Sequence, residues 1–187
     1  MMRIEIRAEK SNVSREKEVR SKEYCREVVN VLLQYHDLVK DPGRKVNDAI
    51  SFGKKRLNLS IIVFVFEIVR TIAGKGDIVC CAVVLSYCLI SYRWLRDVEK
   101  MIRRYMEDGT PCLLTIDEEG VEFNKESKIV MRAFWNNIAF ILILKESICF
   151  LSKDASGSMI AVPVDYKGQV LEGMREAGRT DILIRGY

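Results

Sequence analysis

The sequence predicts an α+β chain, in which a helical transmembrane hairpin accompanies a small antiparallel β-sandwich or barrel closed by a C-terminal helix. Three observations predict it. Two apolar runs, 57–73 and 78–95, flank the short turn Gly74-Lys75-Gly76-Asp77. Beyond Pro111 the apolar spacing changes from helical to alternating, in short segments rich in β-branched and aromatic residues. One amphipathic helical stripe follows the last of these segments. With 187 residues, 49% of them apolar and 30% charged, the chain can bury a real core. Disorder, collagen and a disulfide-stapled miniprotein are excluded. A mean hydropathy of +0.01 is only an average over unlike segments.

In chain order, Arg3 to Glu9 alternates, with Ile4, Ile6 and Ala8 on one face, and predicts a short strand. Asn12 and Ser14 are helix-start residues, and Glu16 and Glu18 suit a first turn. A helix from Arg15 to Lys40 places Val28, Leu32, Tyr35 and Val39 on one stripe, flanked by Val29, Leu33 and His36. Asp41-Pro42-Gly43 ends it. These elements form a first segment, 1–45. The charged stretch Met1 to Arg26 contains no signal-peptide pattern.

The second segment, 46–108, is the hairpin. Its first run holds 11 Leu, Ile, Val and Phe residues and its second holds eight. On an insertion scale these contribute about −5 and about −4 kcal/mol. Glu67 and Arg70 each oppose the first span by up to about 3 kcal/mol at mid-depth, unless they pair or reach an interface. Flanking residues decide the reading. Lys54, Lys55 and Arg56 precede the pair, Arg93, Arg96, Lys100, Arg103 and Arg104 follow it, and Tyr87, Tyr92 and Trp94 add interfacial aromatics. Basic outer ends place both termini in the cytoplasm, with two spans in the inner (plasma) membrane. Ala82 and Ser86 offer a small-residue seat for a neighbouring helix. Val98, Met101, Ile102 and Tyr105 carry the second helix on to Glu107 as an amphipathic stalk. Asp108-Gly109-Thr110-Pro111 marks a boundary.

The third segment, 109–187, predicts strands at 112–117, 121–125, 128–135, 138–144, 148–152 and 159–164. Turn-forming breaks at 117–120, 126–127, 136–137, 145–147 and 153–158 join them as a meander. Asp165 is placed as an N-cap for a helix bearing Val170, Leu171, Met174 and Ala177, with Gly178 at its end.

Chemistry is sparse. Net charge is +5 over residues 1–56, zero over 57–92, +1 over 93–108 and −2 over 109–187. A nucleic-acid binder would concentrate its cations on the folded domain, so no nucleic-acid partner is expected. Six cysteines without paired spacing and a lone His36 predict reduced thiols and no zinc site. Glu118-Glu119 reads as a solvated turn and Gly74-x-Gly76 as a plain turn, so no catalytic residues, metal or cofactor are expected. Two features remain as candidate sites. Glu67 and Arg70 form a candidate intramembrane pair. Trp135, with Asn136 and Asn137, forms a candidate interaction surface.

Leu114-Thr115-Ile116-Asp117 with Gly120-Val121, Phe134-Trp135-Asn136-Asn137-Ile138, and Ile160 to Val164 around Pro163 carry a resemblance. In their order along the chain it resembles the bacterial YcxB-like membrane proteins, whose C-terminal domain is similar to pleckstrin-homology-type sandwiches. Val164-Asp165 departs from the basic and aromatic residues that members tend to carry there, as do Glu67 and Arg70 within the first span. The resemblance implies a non-catalytic membrane protein of uncharacterised role, and transfers no functional residues. The expectation is a two-span anchor in the lipid bilayer that presents a cytoplasmic pleckstrin-homology-like module to a protein partner, with homo-oligomerisation left open. The alternatives are an oligomeric transport or sensing component using Glu67 and Arg70, or a soluble binding domain with a buried helical hairpin.

Overall fold

The structure, a computed structural model, describes residues 2–6, 15–107, 112–125, 128–153 and 159–186. The helix starts expected at Asn12 and Ser14, the boundary at 108–111 and the turns at 126–127 and 154–158 lie outside the described residues. The elements run β1 (Met2–Ile6), α1 (Arg15–Leu33), α2 (Tyr35–Lys40), α3 (Ala49–Ile72), α4 (Ile78–Glu107), β2 (Cys112–Ile116), β3 (Gly120–Lys125), β4 (Lys128–Phe134), β5 (Ile138–Ile143), β6 (Ser147–Ser152), β7 (Met159–Pro163), α5 (Lys167–Glu176) and β8 (Ile184–Gly186). The class is α+β, with two four-stranded sheets ordered β1-β2-β3-β4 and β7-β6-β5-β8, neither closed into a barrel.

The chain divides into two compact units, Asn47–Arg104 and Met1–Val46 with Tyr105–Tyr187. Strand β1 explains the second of these. It pairs antiparallel with β2, from Met2 opposite Ile116 to Ile6 opposite Cys112. The N-terminal segment, read above as a piece of its own, therefore folds with the C-terminal strands, and the hairpin is an insertion between β1 and β2.

Alternation along the strands builds the layers. In β5, Ile141 and Ile143 point into the core shared with Ile4, Leu114 and Ile116 of the first sheet and Met174 of α5. Phe140 and Leu142 point the other way, against Val28, Val31 and Tyr35 of α1 and α2. Both faces of β5 and β6 are thus covered, so every residue of β6 is buried. This accounts for the near-continuous apolar run from Ile138 to Leu144, which alternation alone cannot orient.

Helix α1 is also held to β6 by polar contacts. Glu27 Oε2 accepts from the Glu146 amide at 3.0 Å and from Ser147 Oγ at 2.8 Å. Beyond the break at Gln34, the Tyr35 hydroxyl donates to the Ser152 carbonyl at the far end of the same strand. Both ends of β6 are therefore fixed to the α1–α2 layer.

The expected unbroken meander is instead two meanders joined by a 3₁₀ turn at Trp135–Asn137. Strands β4 and β5 do not pair. The cause is Trp135, whose amide donates to Glu119 O at 3.1 Å and whose Nε1 donates to Asp117 O at 2.8 Å. The end of β4 is so fastened to the β2–β3 turn, and Ile138 starts in the second sheet. Asp165 does not cap α5; it lies in a 3₁₀ turn, Val164–Tyr166, and the helix begins at Lys167. Gly178, at φ +68°, ends α5 in a left-handed cap, with the Arg179 amide donating to Met174 O at 2.9 Å. Strand β8, unforeseen in the sequence, then pairs parallel with β5.

Burial pushes the Cys149 thiol from 9.0 up to about 12 and that of Cys25 up to about 11. The unfolded chain loses these protons near pH 9 while the folded chain keeps them, so stability falls as pH rises from about 9 towards 12. The slope is about 1.4 kcal/mol per pH unit for each thiol. Denaturation midpoints of the parent and of Cys149→Ala at pH 8 and pH 10.5 check this, and the variant should lose less stability across that interval.

Candidate functional site

The hairpin is built by local capping. Asp48 Oδ1 accepts from the Ser51 amide at 3.0 Å and starts α3, and Asp77 Oδ1 accepts from the Val79 amide at 2.9 Å and starts α4. Both helices then follow a heptad-like seam. On α3 the buried or half-buried positions include Ile50, Gly53, Leu57, Ser60, Phe64, Glu67 and Thr71, with Ala49 and Ser51 at its start; on α4 they include Cys81, Val84, Cys88, Ser91, Leu95, Val98 and Ile102, with Tyr87 beside them. The spacing alternates between three and four, as in antiparallel helices that share a narrow seam.

The seam mixes large apolar residues, Ile50, Leu57, Phe64, Val84, Leu95 and Val98, with small and weakly polar ones. Cys88 Sγ donates to Ser60 Oγ at 3.3 Å, and Thr71 Oγ1 lies 3.2 Å from Cys81 Sγ. Large apolar residues also face outward, with Ile62 65%, Ile72 81%, Val83 63% and Ile90 68% exposed. Helix pairs in lipid show this arrangement, because small residues permit close approach and apolar solvent accepts the large ones. Ala82 and Ser86, expected at the seam, are both exposed, and Ser86 Oγ donates back to Ala82 O at 2.8 Å.

Close approach is tightest at Gly53. A Cβ there would lie 2.3 Å from Cζ3 of Trp94, so the ring fills the place of a side chain. Near that end Lys54 pairs with Glu99 at 3.3 Å, and Arg56 lies 4.9 Å from the centre of the Tyr87 ring. Among the described residues, one helix is long and apolar enough to cross a membrane, over Ile78–Ile102. A second span and the orientation rest on other arguments.

The structure brings Glu67 and Arg70 together at the opposite, turn end of the hairpin. Arg70 Nη1 donates to Glu67 Oε1 at 2.9 Å, and Nη2 donates to the Lys75 carbonyl at 3.2 Å. Glu67 is turned inward, its side chain 15% exposed against 47% for Arg70. The pair thus links the last turn of α3 to the connecting turn.

Trp135 is buried, at 4% exposure, while Asn136 and Asn137 are exposed. The asparagine backbone is engaged: Asn136 O accepts from Lys153 Nζ at 3.1 Å, and Asn137 O from the Lys153 amide at 2.6 Å. Around them lies an open depression of about 400 Å³, lined by Glu118, Glu119, Phe134, Trp135, Asn136, Asn137 and Arg179. Glu119 is ion-paired with Arg132, whose guanidinium stacks 5.0 Å from the centre of the exposed Phe134 ring. Glu118 is exposed. Asparagine side chains, one carboxylate and an aromatic face can recognise a peptide through hydrogen bonds, charge and apolar contact.

His36 is exposed, packing edge-on to Tyr35, and all six thiols are free, with Cys80 exposed and Cys25, Cys88 and Cys149 buried. Among the described residues no group of three or more His, Cys, Asp or Glu could hold a metal ion. The chain matches no family model, no curated protein and no solved structure. The sequence reading missed Arg179 as a lining residue and β8 as a strand. Arg179 follows the helix end that Gly178 marks, but that this end lies beside Asn136 and Asn137 depends on long-range packing.

Two substitutions separate packing from recognition. Trp135→Ala should lower stability by about 3–5 kcal/mol, the cost of removing a buried large aromatic, whereas Asn136→Ala and Asn137→Ala should each change it by within about 0.5 kcal/mol. Chemical denaturation in detergent measures both. Gly53→Leu should lower the melting temperature of the detergent-solubilised chain, and adding Trp94→Ala should restore part of the loss if the ring is the obstacle.

Proposed function

We propose that this chain is a two-span membrane protein that holds a non-catalytic, pleckstrin-homology-like interaction module at the cytoplasmic face, as in the YcxB-like proteins it resembles. The observation that carries the reading is the outer face of the hairpin, where Ile62, Ile72, Val83 and Ile90 are mostly exposed, around a seam in which Ser60 meets Cys88 and Thr71 meets Cys81. In water such a surface would be a large apolar patch. In hydrocarbon it is the stable arrangement.

Strand pairing supports an even number of crossings. Strand β1 precedes the hairpin and β2 follows it, yet the two pair along all five residues of each. A chain that crossed through α4 alone would separate these strands by a bilayer. If α4 spans, α3 must return the chain, its Glu67 and Arg70 being neutralised against each other at the turn end. Lys54, Lys55, Arg56, Arg93, Arg96 and Lys100 gather at the other end, which supports a cytoplasmic side for that end and for both termini.

The unit formed by 1–46 and 105–187 is read as the interaction module. Its surfaces offer exposed asparagines and a mixed-charge depression rather than a cationic pocket, which favours a protein partner over an anionic headgroup. The geometry of Glu67 and Arg70 favours a turn-locking role over one in transport or sensing.

Fractionation tests the anchor. The protein should stay with membranes through high salt and alkaline carbonate and leave them only with detergent; recovery in the soluble fraction without detergent would sink the reading. For orientation, Lys75→Cys in a chain whose six native cysteines are replaced by Ser should react with a membrane-impermeant maleimide added to intact cells, and tags at either terminus should be protected. Tags on opposite sides would overturn the two-span topology.

A further inference from the structure

Strand β5 is fully apolar, and its edge away from β6 is covered only by β8 among the described residues. The cover is slight. Strand β8 has three residues, pairs with Ile141, Leu142 and Ile143 alone, and is the one parallel strand in either sheet. One further hydrogen bond, from the Ile141 amide to Leu183 O at 2.9 Å, joins the approaching chain to β5. Leu183 and Ile184 remain 48% and 40% exposed. The first half of β5, Ile138 to Phe140, has no strand partner on that edge. An apolar edge strand left half-covered is a template for a further strand.

The depression adds a direction. Asn136 and Asn137 lead into β5, and Arg179 leads towards β8, so it opens where a strand parallel to β5 would enter. The chain's own segment 179–184 shows what fits: a cation at the depression (Arg179), an aliphatic residue packed on the core three positions later (Ile182), and another paired with Ile141 (Ile184).

We propose that the β5 edge is a strand-acceptor site for an extended partner segment of this chemistry, cation-x-x-aliphatic-x-aliphatic, and that residues 179–186 are its built-in competitor. A partner strand that also pairs with the first half of β5, from Ala139 onward, adds ladder bonds that β8 does not make, and so displaces it. The inference rests on reading the unit as an interaction module and is independent of the membrane anchor.

The probe is a nine-residue peptide copying residues 179–187, with fluorescence anisotropy as readout, on the full chain in detergent. Ile184→Asp should release β8, and the released chain should bind the peptide at least tenfold more tightly than the parent. A peptide carrying Asp at the position of Ile184 should not bind. Hydrogen exchange at the Ile141 amide should speed up in Ile184→Asp and slow again with peptide. Should Ile184→Asp not fold, a chain ending at Ile182 serves in its place. Equal binding to parent and released chain overturns the proposal, as does no binding by a released chain whose circular dichroism matches the parent. Dimerisation of the parent that the peptide dissolves would reassign the site to a second copy. Failure of these arms removes the β5 edge alone, because fractionation reports separately on the anchor.

Discussion

Everything in this molecule depends on the pairing of β1 with β2. The two strands lie at opposite ends of the hairpin in sequence and side by side in the sheet, with Ile4 opposite Leu114 in the core. Antiparallel pairing buries Ile4 to 2% and completes the first sheet, so the core cannot close without the N-terminal strand. The ladder thereby ties together the two ends of the whole stretch from α1 to α4.

The two units follow different solvation rules. In the unit of sheets, polar groups face outward or are paired, as where Glu27 serves the Glu146 amide and Ser147, and strands buried on both faces lose their polar alternation. In the hairpin two polar pairs lie in the seam beside apolar residues, and many large aliphatic side chains also face out. A single mean hydropathy near zero arises from these two regimes. Side-chain composition therefore says little until each residue's facing is known.

Much of the fold was legible. Strand positions from β2 to β7 match the alternating segments closely, and α4 runs over the expected 78–107. These succeed because period 2 and period 3.6 are local properties of the chain. Asp165 failed as a cap because the chain leaves β7 through a 3₁₀ turn, and Asn136-Asn137 failed as a hairpin because Trp135 bonds to the previous turn. The site was partly legible: Glu67 and Arg70, three apart on one helix, had to be neighbours, but Arg179 and β8 reach their places through long-range packing. Ala82 and Ser86 were misread because small residues mark a seam only once the helix phase is fixed. Cys81 and Cys88, at seam spacing, were read as bland thiols.

The sequence by itself determined the class, the two apolar helices, the basic ends and the strand-rich C-terminal part, since hydropathy and spacing act over a few residues. Only the tertiary structure decided that β1, α1 and α2 belong with those strands, that the meander splits into two sheets, and that β8 covers β5. Each depends on which faces meet across long stretches of chain. That is settled by the burial of complementary apolar surfaces, and no local pattern encodes it.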